Sequence, residues 1–461
     1  MTFRVALPAA VAALWPVSAL AHAAEQAFVL LLPTGVYTAA GVAAVAATVL
    51  LLAMVPSDTA ARMFRPLTLG RLRTGHAARI VSSTLTFLVF WALVAAGWWG
   101  TRDPMENPLP LAVWVLWWVA FVLAQGLLGD LWAWLNPWSG PAALARKLGA
   151  RPLLRYPSAL GHAPGLLAFS AFAAVLLADP APADPARLAV YAGGYWLFTF
   201  AALGLFGPRW LLRGEGLTMA LRAYARLGVL GRHSGRRALG LPGWRLLARP
   251  GGAGAGLMAL VLLGAGSFDG VNETFRWLAL LGVNPLEFPG RSAVILPNLL
   301  GLAAGIAALT TVFALTCRAG LALAGNRMRT GAAIARFGPA LLPIALGYHA
   351  AHYLPSFLVD AQYAALAMND PLQRGWDLLG LAGTHVTSGF FNTQATVRAI
   401  WLTQAGCVVG GHVLSVLLAH AIAVETLGTT RRAALSQTPL AAFMILYTFL
   451  GLWLLAAPRG V

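Results

Sequence analysis

The chain has 461 residues, of which 59% are hydrophobic and only 10% charged. An ordinary soluble domain is nearer a quarter charged, so this composition excludes a soluble globular protein. The net charge of +17 would suit a nucleic-acid binder, but its distribution along the chain, described below, points to a lipid surface and not to nucleic acid.

Residues 1–21 read as a cleavable signal peptide. Arg4 supplies the positive n-region, Val5 to Leu20 the apolar stretch, and Ala19-Leu20-Ala21 a small-x-small cleavage site. A cut after Ala21 leaves His22 as the first mature residue, and a cut after Ala23 removes it. About ten apolar spans follow in residues 22–461. They cover approximately 33–54, 80–99, 110–128, 158–178, 188–207, 253–267, 292–316, 337–360, 398–423 and 437–456. The expected fold is therefore all-α, a polytopic transmembrane helix bundle. Trp98, Trp99, Trp117, Trp118, Trp132, Trp134 and Trp138 fall near span ends, where aromatic belts form.

Charge alternates between successive loops. Loops 55–79, 129–157, 208–252, 317–336 and 424–436 hold 24 Lys/Arg against four acids; the opposite side, with both mature termini, holds seven against eleven. The positive-inside rule makes the first set cytoplasmic and places both mature termini in the periplasm of a bacterial inner membrane. In the basic cytoplasmic loop 208–252, residues 214–227 alternate apolar side chains with Arg222 and Arg226 at helical spacing, which suggests an interfacial helix on anionic headgroups. The glycines at 251, 252, 254 and 256 open a membrane helix and suit close helix packing better than a phosphate. The two cysteines, Cys317 and Cys407, form no CxxC and no disulfide framework.

No Walker A, G-x-S-x-G or H-E-x-x-H motif is present. The chemistry instead collects on histidines inside apolar runs. His349 and His352 are three residues apart and share one helix face. From a rise of 1.5 Å per residue, His349, His352 and His412 lie roughly 16, 12 and 21 Å below the outer surface. All three would meet near mid-membrane if their helices pack together. Neutral imidazole is a common metal ligand, so these three are candidates to hold a divalent metal, copper or zinc, or haem b as an alternative. The competing reading is that each histidine hydrogen-bonds a neighbouring helix. His420 is deeper, near the cytoplasmic face, together with Asp130 and Asn136. Asp269 and Glu273, in a polar segment that ends the sixth span, and Asp360 supply carboxylates on the outer side; Asp269 and Asp360 are the candidate catalytic acids. The outer loop 361–397, which carries His385, is long enough to act as a lid. A mature N-terminal His22 would offer its α-amino group and imidazole to copper, with His385 or His352 as a third nitrogen.

Several segments together resemble a family of multi-pass bacterial membrane proteins, some of whose members are named fenitrothion hydrolase. They are Ala21-His22 with Leu32 to Tyr37, Gly129 to Trp138, Ser267 to Thr274, Tyr348 to Tyr353, and Ile400 to His420. Members often carry an acid directly after the last histidine; here that position is Ala421, with Glu425 five residues beyond His420. The resemblance implies hydrolysis of a lipophilic organophosphate triester, with a metal-bound hydroxide as one way to do it. The residues by themselves leave two other classes open, a copper- or haem-binding protein and a transporter whose histidines relay protons.

Overall fold

The computed structural model describes residues 29, 31–54, 56, 59, 62–70, 75–287 and 290–458. Each of the ten expected spans forms a helix. They are α1 (Thr34–Met54), α2 (His76–Trp99), α3 (Pro108–Leu128), α4 (Ala163–Ala178), α5 (Pro185–Phe206), α7 (Ala253–Asn272), α8 (Ile295–Leu323), α9 (Leu342–Asn369), α10 (Gln394–Leu427) and α11 (Thr430–Ala456). Helix α6 (Gly216–Ala225) lies between the fifth and sixth of them. Nine helices among the described residues are long and apolar enough to cross a membrane. The remaining one, α4, has 16 residues, about 24 Å of rise and short of a bilayer core of about 30 Å. The carbonyls at its end are taken by polar side chains at and just before the start of α8: Asn298 Nδ2 donates to Leu177 O at 3.1 Å, and Arg291, in the turn that precedes α8, to Leu176 O at 2.5 Å and to the capping Asp179 O at 2.9 Å. A helix end inside lipid needs such partners, because no water is there to supply them. The chain is thus an all-α polytopic bundle. The expected signal peptide and His22 lie outside the described residues.

Helix α7 forms the centre. It packs against α4, α6, α8, α9 and α11, and most of its residues are buried. Glycine permits these approaches: a Cβ on Gly256 would lie 2.2 Å from the Ile334 carbonyl oxygen, so the glycine-rich start of this helix serves close packing, as expected.

Helix α6 departs from the sequence reading. The structure buries it between α3, α4 and α7 instead of laying it on the surface. Eight of its ten residues are buried, and Arg222 alone points outward as an exposed cation. The Glu215 carboxylate accepts from the main-chain N–H groups of Leu217 (2.8 Å) and Thr218 (2.6 Å) and from the Tyr195 hydroxyl, which caps the helix. Gln125 donates to Leu221 O, while the Trp132 indole and the Asn136 amide both reach the Thr218 hydroxyl. Asn136 also accepts from the N–H groups of Trp138 and Ser139, and Asp130 from Ala133 N–H. Asp130 and Asn136 therefore shape the turn that holds α6. A three-stranded ribbon sits outside the helices, with β1 (Leu67–Thr68), β2 (Leu230–His233) and β3 (Arg236–Leu239) in the order β1-β3-β2. Its tight turn, Ser234-Gly235, takes positive φ at both residues, as a two-residue hairpin requires.

Candidate functional site

The site begins with two glycine contacts that bring α9 against α10. A Cβ on Gly347 would lie 2.4 Å from the Cys407 carbonyl oxygen, and one on Gly411 would lie 2.5 Å from that of Pro343. Helix α9 also contains Pro355, which has no N–H to give the carbonyl of Ala351 one turn earlier. Gln404 of α10 donates its Nε2 to that oxygen at 2.8 Å, in a buried position. The motif that carries the histidines is thus fixed at the turn where proline would otherwise leave a carbonyl unpaired.

On the other side of α9, His352 and Tyr353 converge on one oxygen of α7. The Tyr353 hydroxyl donates to Asp269 Oδ2 at 2.5 Å, and His352 Nε2 lies 3.2 Å from the same atom. Both side chains of the His–Asp pair are nearly buried, 7% and 12% exposed. The ring of Tyr348 stacks on His352, with centroids 5.8 Å apart. Tyr348 in turn lies against Gly270, where a Cβ would come within 1.8 Å of its hydroxyl oxygen. The sequence puts Asp269 in a polar segment beyond the apolar part of the sixth span. The helix continues to Asn272 and carries Asp269 into the bundle.

His349 points toward α3. Residues Leu111–Phe121 of that helix are wound as a π-helix, and Val122 N–H still bonds back five residues to Trp117 O. A return from π to α pairing leaves a carbonyl without a main-chain donor. Trp118, the next residue, is at this junction, and its carbonyl accepts from His349 Nε2 at 2.9 Å. Because a carbonyl only accepts, His349 carries its proton on Nε2. Asp269, His349, His352, Tyr353, Trp118 and Tyr224 border a cavity of about 30 Å³, room for a water molecule or two.

His412 does not join this group. It donates from Nδ1 to Val408 O at 2.8 Å, and its ring lies 6.3 Å from that of Tyr447. Tyr447 shares a 2.5 Å hydrogen bond with Ser267 of α7. His420 is buried two turns further along α10 and does not border the cavity. Asp360 is half-buried two turns beyond His352 and is likewise absent from the cavity wall. Glu273 is exposed at the end of α7, and His385 is exposed in the outer loop. Helix α9 runs on to Asn369, so that loop is shorter than expected.

Two buried imidazole nitrogens, His352 Nδ1 and His412 Nε2, have no hydrogen-bond partner among the described residues. Each is the bare nitrogen left when the other ring nitrogen donates, and each can take a proton. No group of three or more His, Cys, Asp or Glu side chains converges among the described residues, whereas a catalytic zinc takes three protein ligands. His352 and Asp269 make a pair, while His349 Nε2 is committed to the Trp118 carbonyl.

The sequence reading missed Tyr353, Trp118, Tyr348 and Gln404. Tyr353 had a signal: it follows His352 directly, inside the same motif. No known protein-family model, no characterised protein and no solved structure matches the chain.

Proposed function

We propose that this protein is a proton-coupled transporter with its proton-binding centre at Asp269, His352 and Tyr353. The observation that carries this reading is the shared oxygen: Asp269 Oδ2 takes both the Tyr353 hydroxyl and His352 Nε2 within a buried, membrane-level helix contact. Ionisable groups inside a membrane are costly and mark proton or ion pathways. Here a proton added at the bare His352 Nδ1 makes an imidazolium whose charge the adjacent carboxylate balances. The small cavity gives water a place to deliver or remove that proton. Its dimensions suit water and protons better than a bulky reactant. In the same reading the protein lies in a bacterial cytoplasmic membrane with both ends outside, supported by the loop charges.

Infrared difference spectroscopy of the purified protein between roughly pH 4 and 9 tests this directly, without a known substrate. The wild type should show carboxyl and imidazole bands that Asp269→Asn and His352→Ala each remove. Identical difference spectra in wild type and both variants would refute the reading. Elemental analysis of the same samples addresses the metal-dependent hydrolysis that the family resemblance implies. A stoichiometric metal that disappears with His352→Ala would transfer the function to that class.

A further inference from the structure

We propose that α2, α3, α4 and α5 enclose a binding chamber for an uncharged, aromatic, lipid-soluble molecule that enters sideways from the bilayer. The chamber measures about 670 Å³, within the usual range of small-molecule sites, and it is separate from the polar cavity.

Its wall chemistry sets the ligand class. No charged side chain lines it among the described residues, and nearly all of the wall is apolar or aromatic. The hydroxyls and most indoles in the wall are already used within the protein. Tyr191 bonds to Asp179, Tyr195 to Glu215 and Thr86 to the Ser82 carbonyl. The indoles of Trp114, Trp132 and Trp138 donate to Pro182 O, Thr218 and Trp196 O. A charged or strongly polar guest would lose its hydration and find almost nothing in exchange. Ring faces remain, and they favour a flat aromatic guest through offset and edge contacts.

The exposed part of the wall sets the route. Leu109 and Leu188 in the wall belong to a packed cluster between α2, α3 and α5, and Trp132 and Trp138 are buried in it. Val89, Leu116, Leu135 and Phe198 line the chamber and are also exposed, so it opens laterally, toward lipid. A compact molecule dissolved in the hydrocarbon passes there.

The chamber shares a wall with the polar centre. Phe172 of α4 packs on Trp117 (5.9 Å) inside the chamber and on Trp118 (4.9 Å), which borders the polar cavity. If the proton reading holds, the guest is the molecule moved at the expense of that proton; this clause alone rests on the reading above.

The test uses full-length protein in nanodiscs and N-phenyl-1-naphthylamine, an uncharged aromatic dye, with no proton gradient applied. The dye's emission is excited through tryptophan, so it reports proximity to the indoles of the chamber. The signal should saturate at about one dye per chain over a linear partition background. Ala192→Phe on α5 and Ala168→Leu on α4 each fill part of the space and should weaken saturable binding about tenfold or more. Two variants on opposite walls guard against one failing to fold. A signal without saturation, or one that folded variants leave unchanged, overturns the proposal. So does loss of the saturable component in nanodiscs of acyl-brominated phospholipid, which would identify a lipid chain as the occupant. Because dye binding is read without a proton gradient, the chamber can fail while the proton centre stands, and the reverse.

Discussion

Gln404→Leu offers the sharpest test of how the histidine-bearing turn is held. Pro355 cannot donate to Ala351 O, and Gln404 Nε2 does so at 2.8 Å. Replacing Gln404 with leucine keeps the volume but leaves a buried carbonyl unpaired in an apolar setting. Lost partners of this kind cost about 1–3 kcal/mol in soluble proteins, and interhelical hydrogen bonds in membranes about 0.6–1.7 kcal/mol, so about 1–1.5 kcal/mol is expected here. The decisive step is to repeat the substitution in a Pro355→Ala background. Alanine restores the main-chain N–H, and Ala351 O then has a donor on its own helix. In that background Gln404→Leu should cost less than about 0.5 kcal/mol, a coupling of about 1 kcal/mol between the two positions. Reversible unfolding by SDS in mixed micelles, followed by circular dichroism, gives all four free energies. An equal cost in both backgrounds would show that Gln404 acts by packing alone, and the account of the turn would be wrong.

Other substitutions probe the remaining elements. Asn298→Ala removes the donor to Leu177 O at the end of α4 and should lower stability by about 1 kcal/mol in the same assay; no change would mean that the short helix needs no side-chain cap. Glu215 is buried under α6, and loss of hydration holds its carboxyl above the ordinary value despite its hydrogen bonds to Thr218, Tyr195 and Leu217. A group whose folded pKa is raised binds more protons when folded, so stability should fall as the pH rises from the unfolded carboxyl value through the folded one. Glu215→Gln should flatten that slope in melting curves, and an unchanged slope would assign it to another group. Reporter fusions at Arg237 should read cytoplasm and those at Asp103 and Asp370 periplasm; a periplasmic signal from Arg237 would invert the orientation.

The spans were legible because an apolar run of membrane length has few alternatives in folding. Depth was legible too, since rise per residue fixes height along a helix. What rise does not fix is direction around the axis, and the errors at the site come from this. His412, on the helix packed against that of His349, faces Tyr447. Trp117, Trp118, Trp132 and Trp138 were assigned to an interfacial belt, yet they line the two cavities, while Trp99 alone of the seven is strongly exposed at a span end, at 82%. Asp269 was identified but placed past the end of its span, because the polar run from Ser267 to Thr274 resembles a helix end. The helix persists because Asp269 finds His352 and Tyr353 on α9, and those partners are 80 residues or more away in sequence. Helix α6 was unreadable for a similar reason. Ten residues with Arg222 at helical spacing look amphipathic, and only the cleft between α3, α4 and α7 explains why the rest of the circumference is buried.

The π-wound part of α3 ties these features together. Trp117 lines the lipophilic chamber while Trp118 borders the polar cavity, and the return to α pairing falls at the Trp118 carbonyl that His349 uses. The T-shaped contact between Trp118 and His349, with centroids 4.9 Å apart, repeats that link through the side chains. Phe172 touches both tryptophans. A guest that shifts Trp117 must therefore displace Phe172 or the α3 main chain, and either movement reaches His349 within one residue. His349 is four residues from Tyr353 on the same helix, with ring centroids 4.8 Å apart, and Tyr353 holds Asp269. Every step in this series is a direct contact between packed groups. The chamber and the Asp269–His352–Tyr353 cluster are thus joined by a chain of packed groups that runs through the π-wound part of α3.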